Sequence, residues 1–352
     1  MLWEFAGENN AGKSRLAMQL ALTVQLPQKL GGVSGAACYV TTREELITPI
    51  LEGMITDNPL LSPALCGLPD IYTVNAPFFP AVLKVLTESL PTFADERART
   101  LGAKPVKLLV IDTFSDIFDQ DKHPEYEDKI HRARDIRRVS LVMHRLASKY
   151  NLAVVALGAA KGTRPRFEGG DTGPGELRYS DQERWFARAY SLPGEDANEA
   201  ILGHVWPNQL NARIMMSRTI RTRPRSAVDP RAQAQGQPPA KRRKVDVDPG
   251  RAAGDVDDPS VPLRRFSVIF SSVGPPASCD YVIFDEGVVG IPVEEPPPST
   301  CIYPTPPSSS PGQDGASVPA AQSSGYETAI SGWILSTPGA IGSSSESNRG
   351  GD

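Results

Sequence analysis

Cysteine and histidine are scarce: Cys38, Cys66, Cys279, Cys301 and four histidines are all that 352 residues contain. No C-x-x-C pair and no H-E-x-x-H or other zinc-ligand spacing occurs among them, which excludes a disulfide framework and a sequence-encoded zinc site. Free thiols in a reducing compartment are predicted. No stretch approaches the ~20 apolar residues that span a bilayer. The N-terminus holds an acid and a Gly-rich loop where a secretory leader needs a basic and then an apolar segment. A soluble, intracellular chain without a membrane partner is expected. Neither sign of charge dominates: 37 Lys and Arg stand against 41 Asp and Glu, a formal net charge of −4. That excludes a wholly basic nucleic-acid coat and leaves room only for a local basic groove.

Glycine and proline are plentiful instead. With 30 Gly and 33 Pro, their combined share of roughly 18% exceeds the usual ~12%, which predicts a folded body joined to long irregular stretches. Residues 1–221 alternate short β-type runs with helical periodicity, as βαβ units do. Strands are predicted at Ala37 to Thr41, Ile71 to Val74, Lys107 to Asp112, Leu152 to Leu157 and Ala212 to Ser217. A helix is predicted from about Asp128 to Tyr150. Its core face is Ile130, Ala133, Ile136, Val139, Met143, Leu146 and Tyr150, and Arg132, Arg134, Arg137 and Arg138 form a solvated face. Residues 222–262 lack apolar periodicity and read as a disordered basic insertion. Within it, Lys241, Arg242, Arg243 and Lys244 make a Pro-flanked cationic cluster of the kind an import receptor captures, which predicts a nuclear address. Residues 263–292 resume β-type runs around Gly274-Pro275-Pro276, a hairpin returning to the sheet. Residues 293–352 are a Pro- and Ser-rich tail.

The string Gly7, Glu8, Asn9, Asn10, Ala11, Gly12, Lys13, Ser14 fits G-x-x-x-x-G-K-[ST], between an apolar run and the helical Leu16 to Leu20, and these residues with Arg15 are the candidate nucleotide-binding set. That strand, loop and helix context gives the motif its mechanism. Backbone N–H groups turn inward around phosphates, Lys13 reaches the β and γ phosphates, and the Ser14 hydroxyl ligates Mg²⁺. Lys107 to Asp112 is an apolar strand ending in an acid, the form of the second P-loop element that orients the metal. Asp112 is therefore the second candidate metal residue; an Asp capping the following helix is its structural alternative. Candidates for activating water are Glu44 and Glu45, whose alternative role is to complement a helix dipole.

The order of P-loop, YVTTREEL, LLVIDT, LAVVAL, NQLNARIMMSRT and DYVIFDEGV resembles the RecA-like eukaryotic recombinases, and within them the recombinase paralogues. The resemblance spans about Leu2 to Arg221 and Leu263 to Ile291. It implies an α/β fold, a RecA-type P-loop core with a mostly parallel twisted sheet flanked by helices. It further implies ATP and Mg²⁺ as cofactors and other recombinase-family subunits as partners. It leaves room for single-stranded DNA as a ligand, reached directly or through those partners. The implied function is that of a nuclear mediator in recombinational repair of DNA double-strand breaks, with ATP supporting assembly. A DNA-stimulated ATPase using Glu44 as base stays open, as does a P-loop small-molecule kinase.

Departures from the family pattern bear on chemistry. The position of the family's catalytic glutamate holds Arg43, with Glu44 one step later, and the polar Asn-Gln pair that senses the γ-phosphate aligns with Gly158 and Ala159. Both imply weak or absent hydrolysis. The segment of the first DNA loop, 119–129, is acid-rich and poor for phosphate. The second, 161–200, offers Lys161, Arg164 and Arg166 beside aromatic residues that can stack on bases.

Overall fold

The computed structural model describes residues 1–119, 123, 125, 128–162, 198–229 and 259–291. Strand β1 (Leu2–Gly7) leads through the Gly-rich loop into α1 (Lys13–Thr23). Then follow β2 (Ala36–Thr41), α2 (Thr48–Asp57) and β3 (Ile71–Asn75). Helices α3 (Phe79–Lys84) and α4 (Leu90–Arg99) are joined by a π-helical turn over Val85–Ser89. Pro91, which has no N–H to donate into the preceding turn, accompanies this widening. Next come β4 (Val106–Asp112), a 3₁₀ turn Phe114–Phe118, α5 (Lys129–Tyr150) and β5 (Ala153–Gly162). The short β6 (Asn198–Ala200), β7 (Ala212–Pro224), α6 (Arg225–Val228), β8 (Ser260–Ser271), β9 (Ser278–Phe284) and β10 (Gly287–Ile291) complete the described chain.

The strands form one sheet in the order β10-β9-β8-β7-β1-β5-β4-β2-β3, with β6 on the end of β5. From β7 to β3 every pairing is parallel. The block β8 to β10 adds antiparallel to β7. Parallel strands are covered on both faces, so their side chains alternate between two cores. Leu109 and Ile111 of β4 join Cys38, Val40, Val154 and Ala156 against α3, α4 and α5. Leu108 and Val110 point the other way, with Ala37, Tyr39, Val155 and Leu157, against α1 and α2. This alternation makes the strands read as continuous apolar runs in sequence. The parallel direction of β1, β4 and β2 brings their C-terminal ends to the same edge of the sheet, where the Gly-rich loop lies.

Helix α5 begins where its pattern predicts, because the Asp128 carboxylate caps the N–H of Ile130 at 2.8 Å. It ends at Asn151, which adopts the left-handed conformation of a C-cap. Two expectations for this helix are corrected. Ile130, assigned to the core, is 80% exposed. The buried residues of this 22-residue helix begin at Asp135 and Ile136, so its first turn lies outside the packed part of the helix. Arg132, assigned to the solvated face, is half-buried and donates from Nη2 to the Ile201 carbonyl at 3.4 Å, and burial lowers its pKa. Arg134, Arg137 and Arg138 are exposed, as the pattern predicts.

Strands β5 and β7 outrun their apolar sequence signal. The first is prolonged by pairing of Ala160 to Gly162 with β6, and the second because β8 accompanies it as far as Pro224. Turn and strand signals around 274–276 are matched by the antiparallel pairing of β8 with β9. Among the described residues, no helix is long and apolar enough to cross a membrane.

Candidate nucleotide site

Gly7 ends β1 so close to β7 that a Cβ there would lie 2.3 Å from the Met216 carbonyl oxygen. Only glycine fits that approach. Gly12, at φ 96°, sits in the left-handed region immediately before α1, and a Cβ there would strike Ile283 Cδ1 at 2.4 Å. Between them Asn10 is also left-handed, at φ 63°, and the loop closes through the Ala11 N–H to the Glu8 carbonyl at 3.3 Å. The first N–H groups of an α-helix have no intrahelical acceptor, so a loop of this shape leading into α1 has the form of an anion cradle.

Lys13 bends back over this loop and donates to the carbonyls of Gly7 at 2.7 Å and Glu8 at 2.9 Å. Burial lowers its pKa to about 8, and Arg43 acts in the same direction, against the opposing pull of Asp112 and Glu8. The ammonium is thus held desolvated at the mouth of the cradle. Asp112, at the end of β4, accepts from the Tyr39 hydroxyl at 2.8 Å and from the Thr113 hydroxyl at 3.0 Å. Burial, with the Asp112 charge and hydrogen bond, keeps Tyr39 well above the usual phenol range, so it remains a donor and fixes the carboxylate. Ser14 and Arg15 are half-buried on the first turn of α1.

The donor set fits a nucleoside triphosphate with a hard divalent cation. Backbone N–H groups and Lys13 would hold phosphate, and the Ser14 hydroxyl and Asp112 would hold Mg²⁺, whose remaining positions go to phosphate and water. Among the described residues no cluster of three or more His, Cys, Asp or Glu side chains is assembled to hold a metal by protein ligands alone. A metal shared with phosphate needs no such cluster.

The residues expected to act on water are placed differently. Glu44 and Glu45 lie exposed in a bend beyond β2, and the charges acting on Lys13 are those of Asp112, Glu8 and Arg43. Arg43 is the member of this segment that reaches the site, where it is ion-paired with Asp116 of the 3₁₀ turn. Gly158 lies beside Ala6 on β5, and Ala159 donates its N–H to the Ser115 hydroxyl at 2.9 Å. Lys161 is exposed at the end of β5, where Glu199 is its cross-strand neighbour. Arg164 and Arg166, the cationic cluster 241–244 and the tail lie outside the described residues.

A second set of residues supports the loop and escaped the sequence reading. The Tyr281 hydroxyl on β9 donates to the Ala11 carbonyl at 2.5 Å, and Arg264 on β8 donates to the Asn10 carbonyl at 3.2 Å. The Arg218 backbone and guanidinium both engage the Glu8 carboxylate, at 2.6 and 3.1 Å. Gln19 of α1 clasps Val288 on β10 through both of its amide atoms. The phosphate loop therefore rests on strands more than 200 residues downstream. The available signal was the alternation in DYVIF, which places Tyr281 and Ile283 on one face.

Residues 1–161, from the P-loop strand through β5, match the Rad51 family model. Over these residues the chain is similar to the RecA-like Rad51 family. DNA repair protein RAD57 of Saccharomyces cerevisiae is 30% identical over 153 residues, 43% of this chain and 32% of that protein. DNA repair protein XRCC3 of Mus musculus is 24% identical over 295 residues, covering 82% of this chain and 68% of the relative. The XRCC3 homolog of Arabidopsis thaliana is 24% identical over 293 residues, covering 82% of this chain and 86% of its own. The matched part of this chain thus spans about a third of the yeast protein and most of the plant one. The mostly parallel sheet flanked by helices has the architecture of a RecA-like core.

Proposed function

We propose that this chain is a nuclear subunit of the recombinational DNA repair machinery that binds ATP and Mg²⁺ and uses the nucleotide to stabilise assembly with a partner of the same family. The observation that carries this reading is the combination within one site. Lys13, Ser14 and Asp112 provide the binding half of a P-loop ATPase, whereas a guanidinium occupies the place of the general base. An arginine stays protonated at any physiological pH and cannot take a proton from water. Names given to the relatives support the repair setting, and the basic cluster 241–244 supports the nuclear address.

Bound ATP would supply charge and shape at the mouth of the site. The chain's own part is to hold the phosphates with Lys13 and the loop amides and to orient the cation with Ser14 and Asp112. Partner contact is the natural output of such a site, because a bound triphosphate changes the edge of the sheet on which the loops converge. The test is ATP binding and turnover by the purified chain, with and without single-stranded DNA, alongside Lys13→Ala. Binding that depends on Lys13, turnover near background and capture of a Rad51-family subunit that strengthens with ATP are expected. Rapid DNA-stimulated turnover would overturn the reading and return Glu44 to consideration. Absence of ATP binding by folded protein would end it.

A further inference from the structure

Arg43 stands on a rigid pedestal. Thr41 is the register partner of Asp112, so β2 and β4 finish level with each other. The Thr42 N–H donates to the Asp112 carbonyl at 2.8 Å, its hydroxyl donates to the Thr113 carbonyl at 3.0 Å, and that hydroxyl accepts the Thr113 N–H at 3.0 Å. From the other side, the Asn75 amide donates to the Arg43 carbonyl at 3.2 Å. The backbone that carries Arg43 is thus tied to the ends of both neighbouring strands, and to the residue that would orient Mg²⁺.

The side chain contrasts with its base. Arg43 is 58% exposed, while its partner Asp116 is 7% exposed and built into the 3₁₀ turn that follows β4. Its charge is felt at Lys13. A planar guanidinium offers several donors in a fork that matches phosphate oxygens, and it tolerates exchange of one anionic partner for another.

We propose that Arg43 is the residue by which this chain distinguishes ATP from ADP, exchanging the Asp116 carboxylate for the γ-phosphate when a triphosphate occupies the P-loop. Where the family's hydrolysing pattern has a carboxylate that consumes ATP, this chain has a cation that recognises it. The position changes from timer to sensor, and a long-lived ATP state follows from the same substitution that removes the base. Asp116 serves as the resting partner, so that Arg43 is not repelled from the site by Lys13 when no nucleotide is present. The inference rests on the proposed ATP site and adds to it the residue that reads the third phosphate.

Equilibrium binding of Mg·ATP and Mg·ADP to the full chain tests it, measured for the wild type, Arg43→Ala and Arg43→Lys. The wild type should hold ATP at least about tenfold more tightly than ADP, the weight of one charge-assisted contact. Arg43→Ala should lower ATP affinity until the two nucleotides differ by less than about twofold, with ADP affinity unchanged, and Arg43→Lys should retain part of the preference. Arg43 is exposed, so these variants should fold; unchanged thermal denaturation without nucleotide verifies that. Equal loss of both affinities, or no change in their ratio, overturns the sensor role while leaving the ATP site standing. If folded wild type binds neither nucleotide, the ATP site itself fails and the sensor with it.

Discussion

Arg213 donates from Nε to Oε2 of Glu4 at 2.5 Å, across the neighbouring strands β7 and β1, and both side chains are only 1% exposed. The pair sits three residues before the phosphate loop, in the middle of a sheet whose buried positions are mostly apolar. Each charge is tolerable because the other is there. Glu4→Ala leaves a buried guanidinium without its counter-ion and should cost about 3–5 kcal/mol, whereas replacing both residues by Met should recover most of that loss. Urea denaturation midpoints of the two variants decide it. Equal destabilisation by the single and the double change would show that the pair matters through packing rather than charge.

The same carboxylate explains a neighbouring glycine. A Cβ on Gly158 would lie 2.4 Å from Glu4 Oε1, and that oxygen cannot retreat while its partner oxygen is held by Arg213. Gly158→Ala should therefore destabilise the fold by about 1–3 kcal/mol through overpacking. The variant's thermal midpoint measures this, and an unchanged midpoint would mean that Glu4 has room to shift. The residue that stands where the family has a polar phosphate sensor is, in this chain, the space required by a buried ion pair.

Legibility in the sequence followed the range of the interaction. The phosphate loop, the acid ending β4 and the helix closed by Asp128 are written in contiguous residues, and each stands where local pattern puts it. Ile130 is exposed although it lies on the apolar face, because periodicity gives the face of a helix and not how much of its length is packed. Tyr281 on Ala11, Arg264 on Asn10 and Arg213 on Glu4 depend on the register between strands far apart in sequence, which no local pattern encodes. Arg43 was visible as a departure from a motif, but its pairing with Asp116 required the turn after β4 to be in place.

Tyr281 joins the C-terminal hairpin to the phosphate loop, and burial keeps its hydroxyl protonated well beyond the usual phenol range. Tyr281→Phe removes the donor and leaves the Ala11 carbonyl buried without it, at a cost of about 1–3 kcal/mol. Because Ala11 belongs to the loop, the loss should appear in ATP affinity as well as in stability. Isothermal titration together with thermal denaturation tests this. A variant with normal ATP affinity and reduced stability would confine the hairpin to a structural role.

Lys13 should oppose folding until nucleotide arrives. Its pKa is lowered to about 8 from 10.5, chiefly by burial, so the folded state binds this proton less readily than the unfolded chain does. The sign follows directly: the cost is fully present below pH 8, shrinks as pH rises from about 8 to 10.5, and is gone above that. At 1.36 kcal/mol per pKa unit the cost is on the order of 3 kcal/mol, reduced by the two carbonyl hydrogen bonds that the ammonium makes. Lys13→Ala should then raise the thermal midpoint of the nucleotide-free chain at pH 7, by an amount that fades toward pH 10. It should also abolish the further rise that Mg·ATP gives the wild type. A Lys13→Ala chain that is less stable than wild type at pH 7 would show that the hydrogen bonds to Gly7 and Glu8 outweigh the burial of the charge, and that the loop is held in shape by the lysine rather than kept open for phosphate at its expense.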